Sequence, residues 1–99
     1  MKFVIEKPQV NINVLFRRAG YHFDKHSGDE MAFARSLTGQ TFPRYHAFCR
    51  MDGMKILVNI HIDHKAASYE GSSKHSGEYA SDSQLLNEEA GRLKLVASS

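Results

Sequence analysis

Short apolar runs alternate with polar stretches along the chain, and the spacing of the apolar positions shifts between two and three or four. "KFVIE" (2–6) is brief and rich in β-branched and aromatic residues, so it predicts a strand. Pro8 suits the first turn of a following helix, where its missing N–H costs nothing. Ile12, Leu15, Phe16 and Ala19 recur at helical spacing with Arg17 and Arg18 turned away, and Gly20 marks the stop. Residues 24–30, "DKHSGDE", read as a polar loop, and "EMAFARSL" (30–37) as a strand whose two faces are not separated by polarity.

Two further strands are better defined. "RYHAFCRM" (44–51) and "MKILVNIHID" (54–63) flank Asp52-Gly53, the dipeptide expected in a two-residue type I′ hairpin. That turn predicts the cross-strand pairs Arg50 with Lys55, Phe48 with Leu57, His46 with Asn59, and Arg44 with His61. Alternation places Tyr45, Ala47, Cys49, Met51, Ile56, Val58, Ile60 and Ile62 on a core face. Arg44, His46, Asn59, His61 and Asp63 fall on the other face, open to water or to a ligand.

Residues 65–81 carry no periodic apolar pattern, and a loop that long inside a compact domain is usually functional or disordered. Ser81 or Asp82 then caps a last helix, with Gln84 as capping-box partner of Ser81 and Leu86, Ala90, Leu93 and Ala97 as its apolar stripe. Arg92 and Lys94 suit the negative end of its dipole. The element order is β-α-β-β-β-α. It predicts a single α+β domain over 1–99, with a mostly antiparallel sheet and both helices packed on one face.

Composition narrows the function classes. A net charge of +2 is too small to argue for nucleic acid, although residues 1–50 hold eight Lys or Arg against four acids. The single cysteine, Cys49, excludes an internal disulfide, and its parity makes it a small core hydrophobe. The N-terminal stretch lacks the apolar core of a signal peptide, and no run approaches the roughly 20 apolar residues of a membrane span. The expected location is cytoplasmic, with no membrane partner.

Three of the six histidines fall in "IHIDHKAASYEGSSKHSGEY" (60–79). His61 and Asp63 lie two apart on one strand and so point the same way, with His46 and Arg44 beside them. Two imidazoles and a carboxylate suit zinc or another divalent metal, and His75 or Glu78 from the loop completes the shell. Alternatively Arg44, His46 and His61, with Arg35 nearby, hold a phosphate or carboxylate through a guanidinium fork. The near-mirrored "SYEGSSKHSGEY" carries Tyr69 and Tyr79, which are expected to anchor the loop over the polar face.

"NIHIDH" (59–64) resembles part of the metallo-β-lactamase motif, but Asn59 replaces its first histidine and the chain is half the length that fold requires. "DHK" (63–65) resembles the end of a restriction-nuclease motif, but its nearest upstream acid, Asp52, lies on the order of 35 Å away along one strand. The succession "PRYH", "NIHIDHK", "SYEGSSKHSGEY" and a final charged helix resembles a family of short prokaryotic proteins of unknown function. That resemblance implies one folded unit over 43–97 and no particular activity.

The function expected first is therefore a small binding module. Arg44, His46, Asn59, Tyr69 and Tyr79 would contact a small anionic ligand, or His61, Asp63, His75 and Glu78 a divalent metal such as zinc. A homo-oligomer or partner interface on the same face comes second. A metal-dependent hydrolase or phosphoesterase comes third, with His61 as base, Asp63 as orienter, Arg44 as clamp and His75 as acid.

Overall fold

The computed structural model describes residues 1–65 and 82–99. They form β1 (Lys2–Ile5), α1 (Ile12–Arg18), β2 (His22–Ser27), β3 (Glu30–Ser36), β4 (Arg44–Asp52), β5 (Lys55–Asp63) and α2 (Asp82–Ala97). All the strands join one antiparallel sheet in the order β1-β5-β4-β3-β2. The α+β class is as expected, and β2 is an addition to the expected order. The loop assigned to 24–30 is instead one arm of a hairpin with β3, closed by Gly28-Asp29. Every residue of β2 is exposed, so this edge strand shows no apolar alternation.

The β4–β5 hairpin also differs from expectation, by two residues. Asp52 pairs with Lys55, Arg50 with Leu57, Phe48 with Asn59, His46 with His61, and Arg44 with Asp63. The turn is Gly53-Met54, with positive φ (64°) at Gly53 and at no non-glycine among the described residues. That is the type II′ pattern, glycine first, rather than type I′. The shift extends the ladder to Asp63 and brings Ile62, 2% exposed, opposite Tyr45. Because it is an even shift, every side chain keeps its predicted face.

The core face is as the alternation requires. Tyr45, Ala47, Cys49, Ile56, Val58, Ile60 and Ile62 are buried, and only Met51, by the turn, is exposed. Both helices cover this face: Leu15 and Phe16 of α1 and Leu86 and Leu93 of α2 belong to the same buried cluster. Phe16 stacks on Phe33 with ring centroids 4.6 Å apart. Helix α1 begins later than Pro8 suggested, because the Asn11 side chain accepts from the Val14 N–H at 2.9 Å and caps it. Leu86, Ala90, Leu93 and Ala97 of α2 are all buried, whereas Gln84 donates to Glu88 rather than serving a cap. Ser81 lies outside the described residues.

Two charged residues, Asp82 and Glu89, are buried with the apolar stripe of α2. Glu89, 3% exposed, accepts from the Tyr21 hydroxyl at 2.6 Å, from Arg35 Nη2 at 2.9 Å and from Arg92 at 2.9 Å. Arg92 also donates to the Ala19 carbonyl at 2.6 Å, so the cluster ties α2 to the end of α1 and to β3. Burial pushes the Glu89 carboxyl up, but hydrogen bonds from Arg92, Tyr21 and Arg35 outweigh it and hold it below its ordinary range. Such a group is tolerable inside only because every lone pair is satisfied. No described helix is long and apolar enough to cross a membrane.

Two glycines separate backbone need from backbone waste. Gly91 sits inside α2, and an added Cβ there would meet nothing within 4 Å. Gly91→Ala is expected to stabilise the protein by about 0.8–1 kcal/mol in urea unfolding. Gly53→Ala is expected to destabilise it by about 1 kcal/mol, because the turn demands positive φ. A Gly53→Ala variant as stable as wild type, or no difference between the two variants, would contradict the turn geometry.

Candidate metal centre

On the open face the observed register sets His46 directly opposite His61, and Arg44 directly opposite Asp63. Asp63 is the hub. Its Oδ2 lies 3.0 Å from His46 Nδ1 and 3.3 Å from Arg44 Nε, while its Oδ1 lies 2.8 Å from His61 Nε2. One ligand atom from each of His46, His61 and Asp63 falls within 4.8 Å of the others. The sequence grouped these three with Arg44, and the structure brings them together.

The face is less open than its polarity suggested. His46 is buried, and so are Ala32 and Ala34 beside it. The cover comes from β2, where the pairing slips between Phe23 and Lys25. Asp24 is the extra residue of this bulge, and its Oδ2 lies 2.9 Å from His46 Nε2. Lys25 stands over the Phe48 ring, 5.8 Å from its centroid. Phe48 in turn lies against His46 (4.5 Å) and His61 (5.7 Å). Asp24 was missed because a strand without apolar alternation reads as a loop. The signal that could have found it was Gly28-Asp29, a glycine-first hairpin turn.

Other predicted residues lie elsewhere. Asn59 shares the face but is exposed opposite Phe48 and Lys2, and it lines a shallow groove with Arg50 rather than joining the cluster. Arg35 is on the core face, committed to Glu89 and lying over the Tyr45 ring, so it cannot serve an anion beside His46. His64 turns from the "HIDH" run to meet Asp82 at 2.9 Å. Tyr69, His75, Glu78 and Tyr79 lie outside the described residues. Cys49 is buried on the core side, its thiol pushed up to about 12 by burial.

Charge at the centre is dominated by the carboxylates. Burial pushes Asp63 up, but hydrogen bonds from His46 and His61, and their nearby charge, hold it well below the usual carboxylate range. A carboxyl depressed on folding adds stability above its unfolded pKa and loses it as pH falls through its folded one. Asp63→Asn is therefore expected to cost about 2 kcal/mol at pH 7 and to flatten the decline of stability in acid. Urea unfolding at stepped pH from neutral to below the carboxylate range checks this. Parallel declines for wild type and variant would contradict it.

Comparison of the chain with protein-family models, with curated proteins and with solved structures finds no match.

Proposed function

We propose that the protein is a small binding module for a divalent transition metal, held by His46 Nδ1, His61 Nε2 and the Asp63 carboxylate. The observation that carries this reading is the convergence of the three donors from two paired strands. His46 and His61 already stand 3.0 and 2.8 Å from the Asp63 oxygens. Ligands bonded at about 2.0–2.2 Å to one ion stand roughly 3.0–3.4 Å from each other, so each histidine–carboxylate pair is already near ligand spacing. A rigid ladder holds them, which limits the ordering cost of binding.

The donor set also discriminates. Two imidazoles and one carboxylate favour zinc, nickel or cobalt over magnesium and calcium, which take oxygen ligands. Three protein ligands leave coordination positions for water or a small molecule. The alternative of an anion at the same place is weaker, because Asp24 and Asp63 flank His46 and Arg44 is engaged with Asp63.

A thermal-shift panel on chelator-treated wild type and His61→Ala tests the reading. At a hundredfold excess over Kd a specific ion adds about 2.7 kcal/mol, roughly a 13 °C rise in Tm for a domain of this size. Zinc or nickel is expected to raise the Tm of wild type by this order, manganese less and magnesium not at all. His61→Ala is expected to lose most of the rise. Equal responses in the two proteins, or none in wild type, would sink the proposal.

A further inference from the structure

We infer that Asp24 is the positioning residue of this site: it holds one nitrogen of His46 and so dedicates the other to the metal, and the bulge in β2 is the device that delivers it. This rests on the metal reading above and refines it.

An imidazole has two nitrogens, pointing away from each other across the ring. Nδ1 of His46 faces the Asp63 oxygen that also meets Arg44, on the side where His61 converges. Nε2 faces Asp24 at 2.9 Å. A carboxylate on the far nitrogen of a ligating histidine fixes the tautomer and the ring orientation and makes the near nitrogen a better donor. Asp24 is thus excluded as a fourth ligand by its position: an ion on Nδ1 lies across the ring from it. The Phe48 ring, 4.5 Å from the imidazole, further restricts rotation.

The backbone explains how an edge strand supplies this group. Phe23 pairs with Phe33 and Lys25 with Ala32, so Asp24 is inserted between two regular pairs. A bulge sets two successive residues against one on the partner strand. Both inserted neighbours then reach the open face: Asp24 meets His46, and Lys25 meets the Phe48 ring. A regular strand would present only one of them there. Asp24 keeps 30% of its side chain accessible, and among the described residues its ion-pair partner is His46.

The experiment compares wild type, Asp24→Ala, Asp24→Asn, a deletion of Asp24, and His61→Ala. The deletion leaves Phe23–Phe33 and Lys25–Ala32 as consecutive regular pairs, so β2 can stay in the sheet without the carboxylate. Zinc affinity is read by competition with a chromophoric chelator, and the ring nitrogens of His46 by 15N NMR of the zinc-loaded protein. Asp24→Ala and the deletion are expected to weaken zinc about 10–100-fold. Asp24→Asn keeps an acceptor oxygen and is expected to lose less. In wild type, NMR is expected to show zinc on Nδ1 and a proton on Nε2 of His46, a pattern blurred in Asp24→Ala.

The outcomes separate the two claims. If zinc binding falls in His61→Ala while every Asp24 variant matches wild type, the role of Asp24 is overturned and the site stands. If wild type carries zinc on His46 Nε2, Asp24 is a ligand rather than a positioner, and the inference is again overturned. If wild type binds no zinc, both the site and the inference fall.

Discussion

The register of the β4–β5 ladder is the constraint on which the rest depends. It sets His46 opposite His61 and Arg44 opposite Asp63 on one face, and Ile62 opposite Tyr45 on the other. A slip of one residue would turn the apolar row to water, so packing forbids it. A slip of two would keep the faces but move His46 beside Asn59 and leave Asp63 beyond the ladder. The observed register wins because it pairs nine residues on each strand and buries Ile62.

That ladder has two sides with different physics. On the helix side, dispersion and water exclusion dominate, and the buried carboxylate of Glu89 survives only inside a complete set of donors. On the other side the carboxylate of Asp63 is gripped by two histidines and an arginine, and a second carboxylate reaches His46 from an edge strand. No buried side-chain polar atom among the described residues lacks a partner. The two clusters are alike in construction but not in consequence. Glu89 is saturated by Tyr21, Arg35 and Arg92, whereas Asp63 sits among two imidazoles whose nitrogens are metal-ligand atoms.

Edge strand β2 connects these two themes. It hides nothing apolar of its own beyond the contact of Phe23 with Phe33, yet its bulge changes the environment of His46 from a wet surface to a buried position. Bulges at sheet edges re-aim side chains in this way because the extra residue breaks the alternation locally. A site assembled from central strands is thereby finished by the least buried strand of the sheet.

The alternation of apolar and polar residues in 44–63 determined by itself which side chains share a face, because the strand period of two allows no other sorting. The same held for the stripe of α2 and for the stop of α1 at Gly20, since helix period and glycine backbone freedom are local properties. His46, His61 and Asp63 were legible as neighbours for that reason. Their pairing was not, because alternation is blind to an even shift, and either Asp52-Gly53 or Gly53-Met54 offers a two-residue turn. Nor were β2, the partners of Glu89 or the contact of Asp24 with His46. β2 pairs locally with β3 but carries no apolar alternation to announce it. Asp24 and His46, Arg35 and Glu89, and Tyr21 and Glu89 stand 22, 54 and 68 positions apart, and only the closing of the sheet edge and the docking of α2 brought them together.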